Sequence, residues 1–411
     1  MNSPQSRTVA MQKQTSRGIA SPRIRVVHLI TSLNIGGAEQ QMKHLVLASN
    51  CRQFEHFVIS MTDIGPIGEE LRNAQVKVCC LQIPLGKPTL AGLLRLWRIL
   101  RNSKPDVLHC WLYHSCLVGV LVGRLARVPK VVWSLLSANE DLSTYRFQTR
   151  IVVRCCAILS RLADAIIPNS ATGRSLHESW GYSRAKMRVI PNGINLDLFK
   201  PDPAARISVR EELEIPDDVI LIGLIARYHP MKDHGTFLSA ARLLYLRNVN
   251  VHFVLIGSGV TADNPELWRT VQETGLEAVV HLLGPRSDTP RLMASLDIGC
   301  LSSWSESSPF VVCETMACGV PCVVTDVGDA RSTVGDTGGV VPPRKPEALA
   351  QALFSLLETD ATRRTTLGQK ARERVQGKFG LTRVVSAYES LYQILASHHA
   401  LPANSCTTSN N

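Results

Sequence analysis

The sequence predicts an α/β protein built from two doubly wound domains that face each other across a cleft. Short apolar runs rich in β-branched residues alternate with helical stretches twice, once over residues 23–200 and again over 201–380. A polar, charged connector after Pro201 separates the two series. Strands that alternate with helices favour a parallel sheet covered on both faces, and ligands of such sheets bind beyond the carboxyl ends of the strands.

The first domain, residues 23–200, opens with a strand, a glycine turn and a helix. The strand is RIRVVHLI (23–30), and the helical pattern is QQMKHLVLASN. Five more predicted strands follow, and they are HFVISMT, KVCCLQI, DVLHCWL, KVVWSLL and DAIIPNS. This order predicts a Rossmann-like parallel sheet.

The second domain, residues 201–380, repeats the pattern. Its predicted strands are VILIGLIAR, VHFVLIG, VVHLLG, DIGCLSS, PCVVTD and GGVVPP, with helical stretches between several of them. We expect a last helix within 381–400 to pack back toward the first domain. Residues 1–22 are typical of a disordered basic arm, and residues 401–411 are typical of a disordered polar tail.

Composition fits a soluble globular protein. No apolar run reaches the ~18 residues that a membrane span needs, and the first 22 residues lack the apolar region of a signal peptide. The chain has 12 cysteines without a CxxC pair, and many lie inside apolar runs. This pattern favours buried, reduced thiols in a cytoplasmic protein over a disulfide framework or a zinc site.

The formal net charge of +11 suits a polyanionic partner such as nucleic acid, anionic lipid or a phosphorylated substrate. No zinc finger, RNA-recognition signature or basic zipper is present, so we expect no nucleic-acid partner. Residues 93–104 form a basic amphipathic helix that either packs on the sheet or contacts an anionic membrane. We therefore expect a cytoplasmic protein. The alternative is a cytoplasmic protein that contacts the inner face of the membrane peripherally.

The stretch ESSPFVVCE places Glu306 in a loop and Glu314 on the helix that follows. Ser308 suits the N-cap and Pro309 the first helical position. The free N–H groups near the helix start, at Phe310 and Val311, can bind phosphate, and a carboxylate set deeper can accept bonds from ribose hydroxyls. The alternative is a charged cap followed by one exposed helical acid.

The stretch IGLIARYHPMKDH supplies two cations. Arg227 ends an apolar strand and Lys232 precedes the next helix, so both side chains are expected to enter the cleft. A guanidinium and an ammonium there can neutralise a diphosphate and stabilise it as it leaves. The alternative is a solvated loop.

Two glycine turns and two histidines complete the candidates. Gly36 and Gly37 in NIGGAEQ allow close backbone approach to a ligand, and Gly257 in IGSGV is a donor-binding candidate of the second domain. Neither turn has the full GxGxxG pattern, so dinucleotide binding, and with it a dehydrogenase, is weakly supported. His109 and His114 lie at the end of a predicted strand, where a histidine is either structural or a contact of the substrate.

These motifs, in this order, resemble one enzyme family. The chain is similar to the retaining, nucleotide-sugar-dependent glycosyltransferases of family 4 (glycosyl transferases group 1) over residues 25–395. Their fold, GT-B, has two facing Rossmann-like domains. The stretches that carry the resemblance are SSWSESSPFVVCETMACGVPCVVTDVGD (302–329), NIGGAEQ, IPNS, VIPNGINLDLF and IARYHPMKD.

The resemblance implies roles on the second domain. Glu314 is expected to hold the ribose hydroxyls of the donor, and Glu306 to contact the donor sugar near its reacting carbon. Arg227 and Lys232 are expected to bind the diphosphate. The backbone amides of the first helical turn, at Phe310 and Val311, would add to them, so that no metal is expected.

The resemblance also implies roles on the first domain. Gly37 would approach the donor, and His114, or less clearly His109, would match the histidine beside the donor sugar. Trp111 stands where many relatives have a second histidine, which leaves the choice between His109 and His114 open.

The expected function is retaining transfer of a sugar from a nucleotide-diphosphate-sugar donor to a hydroxyl of a lipid-linked or saccharide acceptor. The expected setting is polysaccharide or glycolipid synthesis at the cell envelope. Two alternatives remain: a nucleotide-sugar epimerase of the same architecture, and a non-catalytic nucleotide-sugar-binding protein. The sequence does not identify the sugar, the base or the acceptor.

Overall fold

A computed structural model describes residues 23–84, 89–136, 146–247 and 249–397. The predicted arm (1–22) and tail (401–411) lie outside these ranges. Within them the chain forms two parallel six-stranded sheets with helices packed on both faces of each. The predicted fold class, two doubly wound α/β domains, is therefore confirmed.

The N-terminal sheet has the strand order β3-β2-β1-β4-β5-β6, and every neighbouring pair is parallel. The order reverses between β1 and β4, which leaves a crevice at the carboxyl ends of these strands. The strands are β1 (Ile24–Ile30), β2 (Phe54–Ser60), β3 (Lys77–Cys80), β4 (Val107–Trp111), β5 (Lys130–Leu135) and β6 (Ala165–Pro168).

The C-terminal sheet has the order β12-β11-β10-β7-β8-β9, again with every pair parallel. Its crevice lies where β7 and β10 adjoin. The strands are β7 (Ile220–Ile225), β8 (Val251–Ile256), β9 (Val280–Leu282), β10 (Ile298–Leu301), β11 (Cys322–Thr325) and β12 (Gly339–Val341).

Helices connect these strands. Those that follow the first six strands are α1 (Gly37–Ala48), α2 (Gly65–Asn73), α3 (Leu90–Ser103), α4 (Tyr113–Leu125), α5 (Phe147–Leu159) and α6 (Ala171–Ser179). The remainder are α7 (Pro203–Glu212), α8 (His234–Tyr245), α9 (Pro265–Thr274), α10 (Thr289–Ser295), α11 (Phe310–Ala317), α12 (Ala330–Val334), α13 (Pro346–Leu357), α14 (Ala361–Phe379) and α15 (Leu381–Ser397). No helix in the described ranges is both long and apolar enough to cross a bilayer.

The last helix, α15, packs on the N-terminal sheet beside α1. Tyr388 and Tyr392 are fully buried in the core that α1 and α2 share with the sheet. Ser49 donates a hydrogen bond to the Glu389 carboxylate at 2.8 Å. Helices α3, α4 and α5 cover the opposite face of the sheet.

The two domains touch beside the cleft. The Asp329 carboxylate accepts hydrogen bonds from the backbone N–H groups of Ala171 at 2.8 Å and Thr172 at 2.9 Å, at the start of α6. The Ser307 hydroxyl donates to the Asn169 side chain at 3.1 Å. These contacts hold the loops after β10 and β11 against the segment that joins β6 to α6. Residues of both domains wall the same cavity.

Candidate active site

The cavity between the domains has a volume of about 630 Å³. It lies at the carboxyl ends of both sheets, where doubly wound folds bind ligands. Its walls come from residues 35–39, Leu112, Leu136, Asn169 and Asn192 of the N-terminal domain, and from residues 225–227, 231–232 and 305–311 of the C-terminal domain.

Arg227 reaches this cavity from the end of β7. Just before it, the Ala226 N–H donates to the Ile256 carbonyl at 2.8 Å, which extends the pairing of β7 with β8 by one residue. Gly257 has φ +154°, and a Cβ there would collide with the Ala226 carbonyl. Gly257 therefore supports the Arg227 backbone from below and does not line the cavity itself. No ion pair of the Arg227 guanidinium is found within the described ranges, which leaves it available to an anion.

Lys232 lies in a short 3₁₀ turn, Pro230–Lys232, before α8. Its ammonium is bonded to the Glu306 carboxylate, and both side chains are mostly buried. The Ser303 hydroxyl donates to the same carboxylate oxygen at 2.8 Å. The predicted cation and acid therefore meet across 74 residues of sequence at one point of the cavity wall.

The Glu306 loop is fixed by a close backbone approach. Gly328 has φ +52°, and a Cβ there would collide with the carbonyl oxygens of Glu306 and Ser307. The Asp329 N–H donates to the Ser307 carbonyl at 3.0 Å. The loop that holds the catalytic candidate therefore rests on the turn that contacts the other domain.

The short helix α11 starts at the cavity. The structure makes Pro309 the N-cap, with φ −76° and ψ 98°, where the sequence predicted Ser308. Pro309 is extended, so the helix begins one residue later. The N–H groups of Phe310 and Val311 have no acceptor in the described ranges and lie at the positive end of the helix dipole. Gly37 of the N-terminal domain faces this end of the helix, since a Cβ at Gly37 would lie 3.6 Å from the Phe310 ring.

Glu314 lies one turn deeper in α11. It does not line the cavity, but it follows Phe310 and Val311 on the same helix face. No hydrogen bond or ion pair reaches its carboxylate from the part of the chain that the structure describes. Burial raises the pKa of this carboxyl to about 7, because ionisation there costs desolvation without a partner.

Two family models match the chain on either side of this cavity. The model described as Glycosyltransferase Family 4 matches residues 35–198. The model described as Glycosyl transferases group 1 matches residues 219–359. The chain is a family 4, group 1 glycosyltransferase.

Curated relatives of this glycosyltransferase cover different shares of it. The UDP-Gal:α-D-GlcNAc-diphosphoundecaprenol α-1,3-galactosyltransferase of Escherichia coli is 22% identical over 90% of this chain and 97% of its own. The D-inositol 3-phosphate glycosyltransferase of Kineococcus radiotolerans is 31% identical over 56% of this chain and 57% of its own.

The solved structure of Anabaena HepE in complex with UDP shares the fold. It aligns with a TM-score of 0.80 at 22% identity, over 90% of this chain and 100% of HepE. HepE has also been solved with UDP-glucose, and that structure aligns with a TM-score of 0.76 at 23% identity over 90% of this chain and all of HepE. At this identity the likeness shows the shared GT-B architecture.

The glycosyltransferase brings most of the predicted residues to one cavity and leaves others away from it. The residues on the cavity wall are Gly36, Gly37, Arg227, Lys232, Glu306, Phe310 and Val311. Those away from the wall are His109, His114, Gly257 and Glu314. The cations and the amides thus line one cavity, while neither histidine lines it.

His109 does not face the cleft, which corrects its prediction as an acceptor-side residue. It is fully buried under α15, and its two ring nitrogens bond to the Tyr392 hydroxyl at 2.7 Å and the Ser134 hydroxyl at 2.8 Å. Burial lowers its pKa to about 3, so the ring stays neutral. His109 holds α15 on the sheet.

His114 lines a second cavity of about 390 Å³ within the N-terminal domain. No residue of its wall also lines the first cavity. The wall combines apolar side chains with Thr31, Thr62 and Arg146. Burial lowers the His114 pKa, so the ring is neutral near pH 7.

Sequence reasoning assigned no role to three polar residues of the first cavity. Glu39 is only 9% exposed, and burial raises its pKa. Asn169 and Asn192 are both 4% exposed, and the Asn192 side-chain oxygen has no hydrogen-bond donor within the described ranges. The signal was present, since each belongs to a motif that carried the resemblance: NIGGAEQ, IPNS and VIPNGINLDLF.

Proposed function

We propose that this glycosyltransferase moves a sugar from a nucleoside diphosphate sugar to an acceptor hydroxyl, with retention of the anomeric configuration. One observation carries the proposal. The side chains of Arg227 and Lys232 and the free N–H groups at the start of α11 converge on one cavity, beside the Glu306 carboxylate. Such a site suits a diphosphate that carries a sugar.

The reaction requires groups that stabilise the negative charge on the departing diphosphate. As the bond from the anomeric carbon to the diphosphate oxygen breaks, negative charge grows on that oxygen. Arg227 can bind it by forked hydrogen bonds, and Lys232 as a point charge. Preorganised charges of this kind stabilise the transition state more than the substrate. We propose that they do so without a metal ion.

The Glu306 carboxylate accepts hydrogen bonds from two side chains, and one of these bonds can be replaced when the nucleotide sugar binds. In the structure it accepts bonds from Lys232 and from Ser303. We propose that the diphosphate takes over the Lys232 ammonium, which frees a Glu306 oxygen to accept a hydroxyl of the donor sugar. The ion pair would thus keep both groups in place before the donor arrives.

Glu314 is proposed to bind the ribose of the donor. Its carboxylate lacks a protein donor in the described ranges, and two ribose hydroxyls can supply the missing bonds. Gly36 and Gly37 face the same space from the other domain, where their backbones can approach the donor closely. Gly257 acts through the Arg227 backbone that it supports.

The second cavity is the proposed acceptor site. Its wall, like that of the donor cavity, includes residues that follow β1 and β4, and a neutral His114 can accept a hydrogen bond from a hydroxyl. Its apolar residues, among them Met61, Ile83 and Leu117, favour an acceptor with an apolar portion. The E. coli relative is named for a diphosphoundecaprenol-linked acceptor. This supports a lipid-linked acceptor and a role in cell-envelope glycan synthesis.

A reducing compartment is proposed for the reaction. Eleven cysteines lie in the described ranges, all of them free, and seven are buried. Burial raises the pKa of several of these thiols, for example Cys156 to about 12, so they stay protonated and unreactive. Such cysteine use is typical of the cytoplasm.

A donor panel tests the proposal. UDP- and GDP-sugars at millimolar concentration are scored by thermal shift and by nucleotide release, with the sugar product identified by NMR. We expect one donor class to raise the Tm, and Arg227→Ala to remove most of the shift. Arg269→Ala, an exposed change on α9, is the matched control. No shift with any donor would refute the proposal, and release of an isomerised sugar without an acceptor would indicate an epimerase.

A further inference from the structure

One layer of the N-terminal domain contains no acidic side chain. Helices α3, α4 and α5 pack side by side on one face of the sheet, and none of them contains Asp or Glu, although the chain has 34. The other helices of this domain all contain acids: α1 has Glu39, α2 has Glu69 and Glu70, and α6 has Glu178. The charged side chains of α3, α4 and α5 are therefore all basic.

The outward side of α5 is apolar. Its residues at helical spacing are exposed by 69% at Phe147, 46% at Ile151 and 76% at Ile158. Leu162, just after the helix, and Leu121 and Leu125 on the neighbouring α4 are also exposed. The outward side of a surface helix is normally polar, so a row of large apolar side chains there indicates a partner.

Arginines accompany these side chains. Arg154 and Arg161 line a surface depression of about 540 Å³ together with Ile158 and Trp180. Neither guanidinium has an ion pair or hydrogen bond to a residue that the structure describes. Arg146 and Arg150 flank Phe147, and Arg150 lies 5.8 Å from the centre of its ring. We call the outward residues from Arg146 to Leu162 the α5 face.

We propose that the α5 face docks on an anionic lipid bilayer. Phe147, Ile151 and Ile158 would enter the boundary between headgroups and acyl chains, while Arg154 and Arg161 bind lipid phosphates. A helix with arginines, apolar side chains and no acid is the type that lies in a membrane interface. Pairing with a second copy is disfavoured, because it would bring like charges together.

This places the main membrane contact on α5 and not on residues 93–104. Helix α3 belongs to the same acid-free layer, but it exposes fewer large apolar side chains, Leu90 and Leu94. In α3 the residues Leu96 and Leu100 are buried against the sheet. Its amphipathic pattern is thus largely explained by packing within the domain.

The α5 face adjoins the cavity that we propose binds the acceptor. Arg146 and Ile151 belong both to this face and to the wall of the His114 cavity. An acceptor carried by a lipid in the same bilayer would therefore meet the cavity at the membrane surface. This step rests on the proposed function, whereas the docking itself does not.

Vesicle cosedimentation of the full chain tests the docking. Vesicles of phosphatidylcholine alone are compared with vesicles in which about 30% of the lipid is phosphatidylglycerol, whose negative surface potential attracts basic side chains. We expect binding to the anionic vesicles only, weakened as salt is raised. The double variant Arg154→Gln/Arg161→Gln should bind roughly 25-fold more weakly, at about five-fold for each arginine.

The apolar contribution needs its own variant. Phe147→Ser/Ile158→Ser should weaken binding by at least about ten-fold, because two large side chains lose their burial in the interface. Ile207→Ser/Arg363→Gln, which changes one exposed apolar and one exposed basic residue of the C-terminal domain, should bind like the wild type. Unchanged Tm values for all variants would establish that each one folds.

Three results would overturn the proposal: equal binding to both vesicle types, full binding by both face variants, or a dimer by light scattering that Phe147→Ser/Ile158→Ser dissociates. The assay contains no donor, so failure of the donor panel leaves its outcome unaffected. Conversely, thermal shift by UDP-sugars in the face variants would show that the donor site is intact without docking.

Discussion

The carboxyl group of Glu314 should make donor binding depend on pH near neutrality. Its pKa is raised by burial from an ordinary value of 4.5 to about 7. If ribose hydroxyls donate to the carboxylate, the ionised form binds the donor more tightly. The affinity for UDP-glucose should therefore rise between pH 6 and pH 8.

The size of this effect follows from the titration. With a pKa of about 7, roughly one tenth of the carboxyl groups are ionised at pH 6 and roughly nine tenths at pH 8. If only the ionised form binds, Kd falls by about ten-fold across this range. A nucleoside diphosphate sugar has no phosphate group that titrates there, so the enzyme supplies the change.

The same pKa predicts an opposite trend in the stability of the free enzyme. Because the folded pKa lies above the unfolded one, the protonated carboxyl is favoured by folding. That contribution is complete below pH 4.5 and is lost as the pH rises through about 7. At pH 8 the penalty is at most roughly 3 kcal/mol. Glu314→Gln should remove it and raise the Tm of the free enzyme at pH 8 more than at pH 5.

Isothermal titration with UDP-glucose at several pH values is the assay. Glu314→Gln should bind more weakly at pH 8 and show a flat pH profile. Glu273→Gln, a change of an exposed acid on α9, should keep the wild-type slope. The reasoning is refuted if Glu314→Gln retains the ten-fold change, since another group would then be titrating.

Other consequences can be measured separately. Lys232→Met should lower turnover by ~100-fold or more through loss of a preorganised charge, while Lys370→Met on α14 should not; equal turnover of both would remove Lys232 from the site. Gly328→Ala should lower kcat, because the new Cβ displaces the catalytic loop; an unchanged kcat would show that this loop can move freely. Tyr392→Phe leaves the buried His109 nitrogen unpaired and should cost about 1–3 kcal/mol in urea unfolding, with kcat preserved; a catalytic loss at full stability would contradict the structural role of His109.

Most of the fold could be predicted because its signals are local. Each of the twelve strands is a short apolar run, and the change of composition after Pro201 marks the start of the second series. The cations could be predicted for a related reason. Arg227 follows a strand directly, and the carboxyl ends of parallel strands meet at one edge of a sheet.

The features that the sequence did not predict depend on contacts between distant parts of the chain. His109 alternates with Leu108 and Cys110 along β4, and which face of the strand is open depends on what covers it. Here α15 covers it, and Tyr392 lies 283 residues away. The contact of Lys232 with Glu306 joins residues 74 positions apart, so the local sequence pattern could not predict it either.

The α5 face shows a different limit of prediction from sequence. A run such as FQTRIVVRCCAIL is apolar on both sides of a helix, so periodicity alone does not indicate which side is buried. Packing against α4 and the sheet buries Val153 and Cys156 and leaves Ile151 and Ile158 outside. Only the tertiary structure separates the core residues from the proposed docking residues.

A crystal structure with bound UDP would test the central claim most directly. We predict the diphosphate within hydrogen-bond distance of Arg227, Lys232 and the N–H groups of Phe310 and Val311, with the ribose against Glu314. The Lys232 ammonium should have moved from Glu306 toward the phosphate. UDP bound elsewhere, or bound in the cleft with neither cation in contact, would contradict the account.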